Sequence, residues 1–288
     1  MKLPSTSPAN AKATIEELAA AYACVLEHAH APAAPTLDVE GVRELERRIA
    51  EGGTSLQELM DRAGAAVAWR VEAILSQIEG GTHPRIGKAE ARTRPPIVAI
   101  LCGNGNNGGD GWVAAQLLAE RNRNVCVISA KTPDELRAQP AKDAALRAQL
   151  ALAEMGGTVV EDDGPPPIGD DGFPSRFPLT LIRPSLQTLG TLMECADVVV
   201  DAILGIGFTG GVVKEPYCDW IRLANETREG HANLAVDVPS GLDAQTGAST
   251  DAVVADETVT MIVSKPGLAA KECGTVRVVG LAYIEPYL

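Results

Sequence analysis

The sequence predicts an α/β fold, with a mostly parallel sheet covered by helices on both faces. Two observations carry that prediction. From residue 97 onward, short apolar runs alternate with stretches of helical spacing, and such alternation calls for parallel strands joined by crossover helices. In addition, three of the apolar runs end in glycine-rich or acid-bearing loops, as expected where an open parallel sheet binds ligands beyond its strand ends.

Each element can be justified in order. Residues 1–13 are polar with two prolines and read as a loose tail. Thr14 to His30 is Ala-rich and helix-favouring, and the linker-like "APAAPT" closes it. This divides the chain into a tail, 1–37, and a domain, 38–288. "DVEGVRELERRIAEGG" and "TSLQELMDRAGAAVAWRVEAIL" both show apolar residues at helical spacing, with Thr54 or Ser55 as cap of the second. "GGTHPRIGKAEARTRPP" is a loop. Strands are expected over 97–101, 124–130 and 157–160, with helices over Asp110–Arg121 and Ala141–Met155 between them. "EDDGPPPIGDDGFPSRFPLTLIRPS" is rich in Pro, Gly and Asp and reads as a surface insertion at about 161–185. Strands over 196–203, 232–238, 257–263 and 275–280 complete the pattern, with a helix over Trp220–Thr227.

Bulk composition narrows the function classes. The 288 residues are 45% hydrophobic and 22% charged, the balance of a globular chain. A formal net charge of −13 argues against non-specific binding to nucleic acid or anionic membrane. Six scattered cysteines without a CxxC pair read as reduced thiols in a cytoplasmic protein. No apolar run approaches the ~18 residues of a membrane span, and the N-terminus resembles neither a signal peptide nor a transit peptide. The four histidines lack metal-ligand spacing, so no zinc site is expected.

The chemistry concentrates in three loops. "CGNGNNGGDGWVAA" (102–115) sacrifices side-chain volume where a strand meets a helix, which suggests a tight turn or close backbone approach. Amides of Asn107, Gly108 and Gly109 near that helix start could face an anionic oxygen. No Gly-Lys-Ser/Thr follows, so this is not a Walker loop. The bare GxGxxG pattern is met at 103, 105 and 108, but the second strand ends in Ala130 and Lys131 rather than an acid, against ordinary hydride transfer. In the second loop, Asp201 ends a strand and Gly205, Gly207, Gly210 and Gly211 leave main-chain donors suited to a pyrophosphate. In the third, Asp237 ends a strand before Pro239, Ser240 and Gly241, a placement for a proton shuttle.

"GNGNNGGDGWVAA", "DAILGIGFTG", "VDVPSGLDAQTG" and "ADETVTMIVSKPGL", with the earlier "ELMDRAGAAVA", resemble the YjeF N-terminal domain family, the NAD(P)H-hydrate epimerases. The likeness covers roughly residues 38–285. It implies a Rossmann-like three-layer α/β/α sandwich, a homodimer, and interconversion of the R and S forms of hydrated NADH and NADPH for a partner dehydratase. Carried over by motif, Asn106, Asn107, Gly108, Gly109 and Asp110 would contact the hydrated dinucleotide. Gly205, Ile206, Gly207, Phe208, Thr209, Gly210, Gly211 and Asp237 would contact it too. A potassium ion would be held by Asn107, Asp201 and Ser240, a set of oxygen donors that suits a hard cation. Asp237 is the expected acid/base, with Asp110 second. Lys265 in "SKPGL" reads first as a turn and charge-pairing residue, and Trp112 as core packing. The alternative reading is a non-catalytic nucleotide-binding or scaffold module of the same fold.

Overall fold

The structure, a computed structural model, describes residues 35–86, 94–162, 167–169, 172–282, 284 and 287. The helix expected over Thr14–His30 lies outside them. Helix α1 (Val39–Glu51) starts at Asp38, whose carboxylate accepts from Gly41 N at 2.7 Å. Helix α2 (Leu56–Glu79) starts at Ser55, whose hydroxyl accepts from Glu58 N at 3.1 Å. Ser55, not Thr54, is therefore the cap.

The remaining elements are β1 (Ile97–Cys102), α3 (Asn106–Glu120), β2 (Asn124–Ser129), α4 (Ala141–Glu154), β3 (Thr158–Glu161), β4 (Leu179–Ile182), α5 (Leu186–Cys195), β5 (Val198–Ala202), α6 (Tyr217–Glu226), β6 (Ala232–Val236), β7 (Glu257–Met261) and β8 (Thr275–Val279). The eight strands pair in the order β3-β4-β2-β1-β5-β6-β7-β8, and every pairing is parallel. Successive strand residues point to opposite faces, and the core divides accordingly. Val98, Ile100, Val127 and Val200 pack against α1–α4, whereas Ala99, Leu101, Ile128 and Val199 pack against α5 and α6. The result is the three-layer α/β/α arrangement.

Two expectations are corrected. The segment at 161–185 is not surface throughout, because it contains β4, whose four residues are all buried between β3 and β2. Its "LTLI" run is short and flanked by Pro, Gly and Arg, which hid it. Helix α3 begins at Asn106 rather than Asp110, so the second half of the glycine cluster is the helix's first turn. A tertiary demand outweighs glycine's low helix propensity there. A Cβ on Gly108 would lie 1.9 Å from Gly103 O, and one on Gly109 would lie 2.6 Å from Met60 Sδ.

The strand order reverses between β1 and β5, where β1 has β2 on one side and β5 on the other. The two glycine loops leave the sheet at that point, which opens a crevice at the carboxyl ends of the strands. The opposite edge is closed by ion pairs. Asp197, Asp256 and Glu257, at the starts of β5 and β7, pair with Arg94, Arg85 and Arg70 respectively. Acids at strand starts thus have guanidinium partners, and the acids at strand ends are held differently.

Candidate active site

Gly205 is the meeting point of the three loops. A Cβ built on it would stand 3.2 Å from Asp237 Oδ2 and 3.4 Å from Asn107 Oδ1. The loops after β1, β5 and β6 therefore share one rim. Asn107, on the first turn of α3, donates Nδ2 to Leu204 O at 3.0 Å. Its Oδ1 is buried and has no hydrogen-bond partner among the described residues.

Asp201, the penultimate residue of β5, is only 1% exposed. Its carboxylate accepts from Ser240 Oγ at 2.5 Å, Ser240 N at 2.7 Å and Ile203 N at 3.2 Å. Ser240 Oγ in turn accepts from Leu204 N at 2.8 Å. No cationic side chain reaches Asp201 among the described residues. Burial pushes its carboxyl up to about 6, and the hydrogen bonds from Ser240 and Ile203 oppose that rise.

Asp237 is placed by backbone geometry. It has φ +67°, and Val238 N donates to Val236 O at 2.8 Å across it. This is a γ-turn of positive φ, a strained form for a residue with a side chain. Ile262, after β7, repeats the arrangement with φ +66° and Val263 N donating to Met261 O at 2.7 Å. The two turns aim adjacent strand ends into one site. Lys265 Nζ donates to Asp237 Oδ1 at 2.6 Å, to Thr260 Oγ1 at 2.7 Å and to Met261 O at 3.0 Å. Lys265 is 2% exposed and all three ammonium hydrogens have acceptors, so the ion pair is oriented as well as buried. Ile206 N approaches Asp237 Oδ2 at 3.4 Å.

Two more carboxyls feel this pair. Burial holds the Asp110 carboxyl well above its usual range, and the charges of Asp237 and Glu46 reinforce this while Lys265 opposes it. Burial and then the charge of Asp237 push Glu46, on α1, up to about 7. Neither Lys265 as a full member of the site nor Glu46 at all was singled out by the sequence. A lysine inside the apolar run of "TVTMIVSKPGL" was the available signal for the first.

Other expected residues are placed less centrally. Asn106 is exposed, whereas Gly108 and Gly109 are buried. Gly109 N donates to Gly105 O at 3.2 Å within the helix, so it is not open to an anion as expected. Gly105 caps α3 without a side chain. Ile206, Phe208 and Thr209 line a cleft of about 330 Å³ together with Asp38, Arg43 and Asp243. Gly207, Thr209 and Gly211 are exposed, so the loop runs outward from the rim. Trp112 is buried in the core as expected. Among the described residues no group of three His, Cys, Asp or Glu is placed to hold a metal. The Asn107, Asp201 and Ser240 oxygens are a different donor set, suited to a hard cation.

Fold and site together define a class: an open, wholly parallel α/β protein whose candidate ligand crevice lies at the reversal of strand order. The chain belongs to the YjeF-related protein N-terminus family, which its residues 56–267 match. It is 34% identical over 200 residues to an NAD(P)H-hydrate epimerase of Pirellula staleyi, covering 66% of this chain and 75% of that protein. It is 35% identical over 229 residues to a bifunctional NAD(P)H-hydrate repair enzyme Nnr of Pyrobaculum aerophilum. That alignment covers 79% of this chain and only 36% of the bifunctional protein. In structure it is similar to yeast Ynu0, YNL200c, with a TM-score of 0.60 and 22% identity over 85% of this chain and 88% of that one. This last likeness concerns the fold.

Proposed function

We propose that this protein is an epimerase of hydrated NADH and NADPH, an isomerase that interconverts their R and S forms. The observation that carries the reading is the meeting of Asn107, Gly205 and Asp237 at one rim beside a buried ion pair. The relatives named as epimerase and repair enzyme support the substrate class. The substrate's reacting carbon bears a hydroxyl next to a ring nitrogen. Protonation lets that hydroxyl leave as water while the nitrogen lone pair forms an iminium cation. Water returning to the opposite face, with loss of a proton, inverts the centre. No electrons are exchanged with a second substrate.

Asp237 is the acid/base at this carbon, and Lys265 orients its carboxylate. Burial favours the neutral form of Asp110, so the carboxylate that meets the developing cation is Asp237, oriented by Lys265. Open amides at the start of α3 and in 205–211 suit the pyrophosphate. The same reading couples the product to a dehydratase, works in the cytoplasm and uses a homodimer. Incubating purified protein with R-form hydrate and a dehydratase specific for the S form tests it. The R form should disappear many-fold faster than with dehydratase alone, and equal rates would overturn the assignment.

We infer that a potassium ion is held by Asn107, Asp201 and Ser240, because Asn107 Oδ1 is an orphaned acceptor and Asp201 is buried without an ion pair among the described residues. Bound there, it would supply positive charge beside the substrate phosphates. The Asp201 carboxyl is raised in the fold, from 3.8 to about 6. Its burial cost is therefore absent below pH 3.8 and fully present above about pH 6, so stability falls as pH rises through that window. A cation offsets the cost only where Asp201 is ionised. Potassium should raise the Tm by a few degrees at pH 7.5, at roughly 2–4 °C per kcal/mol. The shift should be smaller at pH 5 and absent in Ser240→Ala; equal shifts at both pH values would refute this site.

A further inference from the structure

Side chains alternate along β7. Val259 and Met261 join the core that packs against α1–α4, so Thr258 and Thr260 point to the other face. Both threonines are fully buried. A buried hydroxyl needs a partner, and the two find theirs in different places. Thr258 Oγ1 donates to Cys273 O at 2.7 Å, a main-chain bond that involves no site residue. Thr260 Oγ1 accepts from Lys265 Nζ at 2.7 Å and donates to Asp237 Oδ1 at 3.3 Å. Lys265 Nζ donates to the same Oδ1 at 2.6 Å, so hydroxyl, ammonium and carboxylate close a ring.

The ring treats the two oxygens of Asp237 unequally. Oδ1 accepts from Lys265 Nζ, from Thr260 Oγ1 and, at 3.5 Å, from Met261 N. Among the described residues Oδ2 accepts only from Ile206 N, at 3.4 Å. It looks onto Gly205, where a Cβ would stand 3.2 Å away. An oxygen that already faces three donors cannot carry a proton of its own without setting hydrogen against hydrogen. We propose that Thr260 is a positioning residue for Asp237: with Lys265 it holds Oδ1, and so presents Oδ2, above Gly205, as the oxygen that exchanges the proton. The role rests on the epimerase reading. Oδ2 gives its proton to the departing hydroxyl and takes one from the returning water, so the proton balance over the cycle is zero. Without the Thr260 hydroxyl the carboxylate is freer to turn about its soft terminal torsion, and the positive-φ backbone of Asp237 loses one of the contacts that hold it.

Four variants, each checked for fold by circular dichroism, test this. Thr260→Val removes the hydroxyl, Thr260→Ser restores it, and Thr258→Val removes the neighbouring buried hydroxyl that has no site partner. Thr260→Val should lower kcat by about 10–100-fold, the scale of a misplaced reacting group. Its KM should stay within about twofold of wild type, as for an interaction needed only in the transition state. Thr260→Ser should recover most of kcat, and Thr258→Val should keep it while lowering the Tm. Gly205→Ala, at a position without positive φ, should lose activity because its methyl takes the place above Oδ2. Independently of activity, exchange of the Lys265 ammonium hydrogens with water is followed by nitrogen-15 NMR. It should be slow in wild type and Thr260→Ser, and about tenfold faster in Thr260→Val, where one acceptor is gone. Equal kcat losses in Thr260→Val and Thr258→Val, wild-type activity in Gly205→Ala, or Lys265 exchange unmoved by Thr260→Val overturns the proposal. Lys265 exchange that responds as expected in a protein that epimerises nothing overturns the functional reading, and the catalytic role with it, while the ring itself stands.

Discussion

Asp237→Asn is expected to lower epimerisation of the hydrated cofactors by about 10²–10⁴-fold, the usual worth of a positioned acid/base. The amide cannot exchange a proton with the substrate hydroxyl, but its oxygen can still accept from Lys265 Nζ, so the fold should survive. Asp237→Ala differs. It removes the carboxylate that lies 2.6 Å from an ammonium of 2% exposure. Leaving a buried charge without its partner costs about 3–5 kcal/mol, which at this size corresponds to a Tm loss on the order of 10 °C. Replacing both charges, in Asp237→Ala with Lys265→Met, should recover most of the Tm while activity stays lost. Thermal scans and the coupled dehydratase assay on the three variants separate the structural share of this pair from the chemical one. Activity in Asp237→Asn near the wild-type level would remove Asp237 from its role.

Gly103→Ala should be the most damaging glycine-to-alanine change among the described residues. A Cβ there would lie 1.8 Å from Ile203 O and 2.7 Å from Ile203 C, which are main-chain atoms of the neighbouring loop. Gly103 N also donates to Ala202 O at 2.9 Å, so β1 and β5 are still bonded where their loops begin. A flexible side chain can swing away from such a clash, but these main-chain atoms can move only if the two strand ends part. The cost should exceed the ~1–3 kcal/mol of ordinary overpacking. We expect a Tm loss of about 10 °C or more, or failure to accumulate folded protein. Gly105→Ala is the matched control, since nothing lies within 4 Å of a Cβ there. Comparable Tm values for the two variants would show that the strand ends are not packed as described.

The loops whose residues had to be small or acidic were readable from the chain. Asp201, Asp237 and the glycines of 103–111 stand at the ends of apolar runs, and a strand end in a parallel sheet has only one edge to face. The side chains of Asn107 and Ser240 were expected to be cation ligands only through the family resemblance, because an Asn or Ser in a turn has many ordinary uses. Strand β4 was lost among prolines, since four apolar residues carry too little periodicity to outweigh their neighbours. The first turn of α3 was lost to a propensity that packing overrides.

The amino-acid sequence by itself determined the layered α/β fold, the sheet edge at which the glycine-rich and acid-bearing loops gather, and the family, because those depend on local periodicity and on residue types at strand ends. Only the tertiary structure decided that Lys265 grips Asp237 and that Glu46 and Asp110 share its field. Those groups come from helices and strands far apart in the chain. Their electrostatics depend on separation and burial, quantities that exist only once the sheet has brought its ends together.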